Sequence, residues 1–190
     1  MPNGQSNWET LFSRLIDTSS QIAIVCTGGG AGAVSRCFRR PGASRNFVDG
    51  AIPYSMKAST EYLGSQPVES RASPEFAQQL AARAFERAGQ LCDHDQGVPI
   101  GIALVAAMPT IPANPVAERI HVALHCSKDR HCWSETLQKG AHSRESAESI
   151  ADDLIFQAIE FAVSCDPSSE MRIAGSSTSA RSIVPYRSRA

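Results

Sequence analysis

The sequence predicts a three-layer α/β sandwich, a mixed β-sheet covered by helices. Three observations carry that expectation. The apolar run Ile22-Ala23-Ile24-Val25-Cys26 ends in the cluster Gly28-Gly29-Gly30. Ser73-Pro74-Glu75 opens a long amphipathic segment with a hydroxyl cap, a proline at the first helical position and an acid against the helix dipole. Between and after them, strand-like and helix-like segments are mixed along one chain of 190 residues, enough for one domain with a sizeable core.

The elements follow in order. Asn7 or Ser6 caps a first helix, Trp8 to Asp17, with Trp8, Leu11, Phe12, Leu15 and Ile16 on its apolar face. The run from Gln21 to Cys26 reads as a buried central strand, since three of its residues are β-branched and glycines bound it. Ala31 to Arg40 has helical spacing, with Val34, Cys37 and Phe38 on one side. Pro41-Gly42-Ala43-Ser44 is a turn. Asp49 to Ser55 is a second short strand, and Pro53 argues for an edge or an irregular end. Met56 to Leu63 is helical and Gly64 stops it. The helix opened at Ser73 runs to about Ala88, with Gly89 beyond its end. Val98 to Val105 is a third strand, and the prolines between Met108 and Pro115 make a loop. Arg119 to His125 is a strand, with Trp133 to Leu137 as hairpin partner. Ser143 opens the last helix, which carries Ile150, Leu154, Ile155, Ala158, Ile159 and Ala162 on one face. The folded domain is expected over residues 1–165, followed by a disordered tail over 166–190, which is rich in serine and arginine.

A net charge of −1 gives no electrostatic case for nucleic acid or a membrane surface. The apolar runs are too short to span a bilayer, and the first residues lack the layout of a signal peptide. Six cysteines without a C-x-x-C pair indicate a reducing, cytoplasmic setting.

Strand, glycine turn and helix together aim backbone N–H groups at one point, a seat for a phosphate or carboxylate. Gly28-x-Gly30-x-x-Ala33 formally fits a dinucleotide fingerprint, with Asp49 near the offset of a ribose-binding acid. Asp49 precedes an apolar run, however, whereas that acid should end a strand. No Lys-Ser or Lys-Thr follows the glycines, so this is not a Walker loop. His121, His125, Cys126, His131 and Cys132 form the one metal-like cluster, at spacings that match no closed zinc motif. No metal and no cofactor is expected. Cys26, beside a helix N-terminus, is a candidate nucleophile, although a buried inert thiol fits the same position.

Several of these stretches together resemble a known family. It comprises the C-terminal domain of the CinA proteins and the stand-alone nicotinamide mononucleotide amidohydrolases of the PncC type. The family motif Glu-Ser-Cys-Thr-Gly-Gly is matched by Ile24-Val25-Cys26-Thr27-Gly28-Gly29. Its Pro-Gly-Ala-Ser, phenylalanine and glycine are matched by Pro41-Gly42-Ala43-Ser44, Phe47 and Gly50. Its Tyr-Ser-Asn-x-x-Lys and Leu-Gly correspond to Tyr54-Ser55-Met56-Lys57-Ala58-Ser59 and Leu63-Gly64, and its Ala-Val-Ser to Arg71-Ala72-Ser73. The resemblance runs from about residue 8 to 163.

The resemblance implies a serine nucleophile and a lysine base. Here those positions hold Val25 and Ser59. Lys57 is turned roughly 200° away from the lysine position on a helix. The substrate loop Thr-Gly-Ile-Ala-Gly-Pro appears as Val105-Ala106-Ala107-Met108-Pro109. Arg144 stands where the family places arginines near the last helix. The resemblance therefore implies a catalytically degenerate, CinA-like protein, with Cys26, Thr27, Gly28, Gly29, Gly30 and Tyr54 as ligand-binding residues. The alternative is an active deamidase with Cys26 or Thr27 as replacement nucleophile. A nucleotide-binding oxidoreductase is the third class. The partners considered are a small nucleotide ligand and a second copy of the chain.

Overall fold

A computed structural model describes residues 3–66, 71–92, 97–113 and 115–165. The expected tail, residues 166–190, lies outside the described residues. The apolar run forms strand β1 (Ser20–Thr27), which is buried along almost its whole length. A strand covered on both faces needs apolar side chains at successive positions, and this one has them. β1 pairs in parallel with β2 (Phe47–Ala51) on one side and with β3 (Val98–Ala107) on the other. β4 (Arg119–Cys126) and β5 (Arg130–Thr136) continue the sheet in antiparallel fashion. The order is β2-β1-β3-β4-β5, a mixed sheet as expected.

Helices cover both faces. On one lie α1 (Asn3–Leu15), α2 (Ala31–Phe38) and α5 (Arg144–Cys165). Their buried faces meet Ile22, Ile24, Cys26, Ile100, Ile102 and Leu104 of the sheet. On the other lies α4 (Pro74–Leu91), with α3 (Met56–Leu63) beside it. Here the packing is small against small: Ala77, Ala81, Ala84 and Ala88 of α4 face Ala23, Ala103 and Ala123. Gly101 makes the approach possible. A β-carbon there would come within 2.8 Å of the Phe85 Cα, and closer still to the Ala81 carbonyl oxygen.

Most elements lie where the sequence puts them, with corrections at their ends. Ser6 and Asn7 do not cap α1, which already runs from Asn3. The apolar periodicity starts only at Trp8, so the first turn carried no signal. β2 starts at Phe47 and ends at Ala51, not Asp49 to Ser55. Ladder pairing begins where Phe47 meets Ile22, and the chain leaves the sheet before Pro53, which has no N–H to donate. Gly89 lies inside α4 rather than beyond it. Phe38 remains half-exposed and lies over Gly50. The caps at Ser73 and Gly64 are as expected: the Ser73 hydroxyl accepts from the Phe76 N–H at 3.2 Å, and Gly64 takes the left-handed conformation.

Candidate functional site

β1 feeds α2 on one face of the sheet, and β2 returns to β3 across the other face through α3 and α4. The chain thus leaves β1 toward one face and β2 toward the other, diverging beyond the carboxyl ends of the parallel strands, where open α/β sheets hold their ligands. A cleft of 660 Å³ opens there. Thr27 and Gly28 line it from the end of β1, and Ala106 to Met108 from the end of β3. Tyr54 and Met56 come from the start of α3, Arg71 from the entry to α4 and Arg144 from the first turn of α5.

The glycine turn beside this cleft is closely packed. A β-carbon on Gly28, which has a φ of +81°, would come within 2.9 Å of the Ala106 carbonyl carbon. One on Gly29 would run into the Met108 side chain, and one on Gly30 would meet the Leu104 methyl at 2.9 Å. Its donor is also engaged. The Gly30 N–H donates to the Glu148 carboxylate at 2.7 Å. Arg144 holds that carboxylate at 2.9 Å and donates to the Gly28 carbonyl at 3.1 Å. One turn further along α5, Asp152 sits beside the Ala33 backbone and pairs with Arg36 at 3.4 Å. Two carboxylates from α5 therefore occupy the N-terminal end of α2, where a helix dipole favours negative charge. The anion seat expected at the glycine turn is filled by the protein's own Glu148.

The remaining expected residues divide into those at the cleft and those in the core. Thr27 and Tyr54 reach the cleft, Tyr54 as an exposed side chain. Cys26 is fully buried between the sheet and the α5 face. Burial, with Glu148 next in effect, pushes its thiol up to about 12. Burial of this kind favours the protonated thiol over the thiolate that a nucleophile needs. Val25 is fully buried on the α4 face. Ser59 is fully buried too, and its hydroxyl donates to the Pro53 carbonyl at 2.9 Å. Ser55 caps α3 by accepting from the Ala58 N–H at 3.1 Å. The residues that sequence reasoning passed over as site members are Arg71, Met56, Thr110, Val116 and Glu148. The Arg144–Glu148–Asp152 spacing on one helix face was the only signal for the last of these.

The other candidates take different places. Asp49 lies in the middle of β2 and pairs with Arg87 of α4 at 2.6 Å, away from any ribose position. The sheet splits the metal-like cluster. His121 is bonded to the Ser134 hydroxyl at 2.7 Å, and His125 stacks on Phe85. Cys126 is buried on the opposite face, and His131 packs against Phe161 there. Among the described residues no three such side chains could share a metal ion.

No family model matches the sequence, and no curated protein does either. Solved structures do. A CinA-superfamily protein from Klebsiella pneumoniae superposes with a TM-score of 0.67 at 13% identity, over 86% of this chain and 99% of that one. The fold is that of the CinA superfamily. A CinA-superfamily protein from Escherichia coli gives 0.59 at 17% identity, over 83% and 85% of the two chains. A competence/damage-inducible protein from Agrobacterium tumefaciens gives 0.60 at 16%, over 83% and 94%. At these identities the likeness concerns the CinA-like fold. No helix among the described residues is long and apolar enough to cross a membrane.

Proposed function

We propose that this chain is a CinA-like binding protein that takes a small organic anion into its cleft and does not hydrolyse amides. One observation carries the reading. The described lining of the cleft has two guanidinium groups, Arg71 and the Arg144 that also holds Glu148 behind the wall, and the lining itself has no carboxylate, histidine, lysine, serine or cysteine. Arginine presents a planar fork of donors suited to phosphate or carboxylate. Hydrolysis needs a nucleophile within reach of a base. Thr27 is a hydroxyl at the cleft, but no base lines the cleft beside it. The resemblance makes a nucleotide phosphate the first anion to test. Free thiols at Cys26, Cys37, Cys92, Cys126 and Cys132 support a reducing compartment, the cytoplasm.

The test is incubation with nicotinamide mononucleotide, followed by ammonia release and by calorimetry. No ammonia is expected, and any binding heat should vanish in Arg71→Ala. Turnover near ordinary enzyme rates, about 1 per second or faster, would overturn the reading. If Thr27→Ala then abolished it, Thr27 would be the replacement nucleophile.

A further inference from the structure

The polar half of the cleft explains an anion, but most of its wall is apolar. Met56, Ala72, Ala106, Ala107, Met108 and Val116 all face it. Apolar side chains also stand exposed on the segments around its mouth. Tyr54, Met56 and Val116 are exposed members of the lining. Ile52 lies two residues before Tyr54, and Ile111 directly follows Thr110; both are exposed, Ile111 completely. Phe38 and Leu91 are the other large apolar side chains exposed among the described residues. So the apolar exposure is concentrated at one end of the sheet, around one cleft. Clustered exposure of this kind marks a surface that is covered in use.

We infer that the ligand of this cleft is an amphiphilic organic anion, with one phosphate or carboxylate head on an apolar body. This rests on the reading of the cleft as an anion site. Arg71 forms no ion pair among the described residues and lies at the entry to α4. Arg144 comes from α5. These two set the place of the head. Beside them the walls are mainly alanine, methionine and valine; the hydroxyls of the lining are Thr27, Tyr54 and Thr110, and that of Thr110 already donates to the Pro112 carbonyl at 2.8 Å. A ribose hydroxyl or carboxamide desolvated against the alanine, methionine and valine part of the wall would lose its water without gaining a side-chain partner there. A chain or ring of carbon meets no such penalty. A cleft of 660 Å³ is within the range that encloses a small organic ligand.

The test is calorimetry on the full chain with inorganic phosphate, butyl, hexyl and octyl phosphate, octanol and nicotinamide mononucleotide, all below micellar concentrations. Affinity should rise with chain length by about fourfold per methylene over the length that fits, from the transfer of CH₂ groups out of water. Val116→Ser and Met56→Ser change exposed side chains and should leave the melting temperature in place. Each should flatten the dependence on chain length. Arg71→Ala should weaken all the phosphates together. A flat dependence with good binding of the nucleotide would overturn the amphiphile and leave the anion reading standing. Octanol binding as tightly as octyl phosphate, or no binding at all, would overturn both. Sedimentation is run alongside. A dimer that Val116→Ser dissociates would assign the apolar rim to a second copy, and would also overturn the inference.

Discussion

Replacing Glu148 by alanine should cost stability and open an anion seat in the same step. The Glu148 carboxylate accepts the Gly30 N–H at 2.7 Å and is held by Arg144 at 2.8 Å. A hydrogen bond from a backbone N–H to a charged group contributes about 1.5–3 kcal/mol. The pair with Arg144 is spaced i,i+4 and partly exposed, which adds only about 0.3–0.5 kcal/mol. Glu148 retains roughly a third of its side-chain exposure, so water replaces part of what is lost. Alanine also gains some helix propensity within α5. The net expectation is a loss of about 2 kcal/mol, or about 4–8 °C in melting temperature for a domain of this size.

The decisive measurement is urea unfolding of wild type and variant with and without sulfate, at matched ionic strength. In the variant the N-terminal end of α2 has an empty donor, and Arg144 is released beside it. Sulfate at a hundredfold excess over its dissociation constant would return about 2.7 kcal/mol. The wild type offers sulfate only the arginines of the cleft, so its midpoint should move less. Glu148→Gln keeps an oxygen for Gly30 but no charge, and should fall between the two. A loss below about 0.5 kcal/mol in Glu148→Ala, or equal sulfate shifts in both proteins, would refute the claim that this carboxylate fills an anion seat.

Four further expectations follow from the packing. Gly101→Val should remove about 3 kcal/mol or more, read by urea unfolding, because α4 lies directly against that position. Burial, then the nearby Arg119 and Arg130, hold His121 and His125 below the ordinary 6.5. As pH falls through 6.5 the unfolded chain takes up protons first, so stability should fall from there into the acid range; a double His→Gln variant should show a flatter melting profile. Iodoacetamide followed by mass spectrometry should leave Cys26 and Cys37 unmodified in the native protein and label both in urea. Val25→Ser with Ser59→Lys should release no measurable ammonia from nicotinamide mononucleotide, since both positions are fully buried and neither lines the cleft.

Local chemistry made much of the fold legible. The Ser73-Pro74 start, the Gly64 stop and the doubly buried β1 each announce themselves within a few residues. What was hidden needed contacts between distant parts of the chain. Gly89 looks like a helix end, yet α4 continues through it, because packing against the sheet outweighs the cost of about 1 kcal/mol for a glycine in a helix. Asp49 stands near a ribose ligand's offset but at the wrong place in its strand, and its actual partner, Arg87, is brought beside it only from α4. Glu148 lies 118 residues from Gly30, and nothing in either neighbourhood predicts that they touch. The cleft was legible only in part. Thr27 and Tyr54 keep the residue of the resembling motifs, Met56 and Arg71 stand at motif positions where the family residue differs, and Val116 joins them only when the loop after β3 is folded against α3 and α4.

The glycine turn shows how a motif and an activity can separate. Gly28 is required by its left-handed backbone and by the Ala106 carbonyl and Gly30 by its left-handed backbone, whereas a side chain at Gly29 would have only to displace the flexible end of Met108. Each of these contacts is internal to the fold. The turn would be needed by any chain that brings β1, β3 and α2 together this closely, with or without a ligand. Keeping glycine at 28 and 30 is therefore explained by the scaffold alone. The residues that do carry weight are those the scaffold does not need. Arg71 stabilises no described element through an ion pair. Tyr54, Met56 and Val116 expose apolar surface that folding alone would favour burying. Where a position gains nothing for the fold and still holds a chemically specific group, the group points outward to a ligand, and here those positions surround a single cleft.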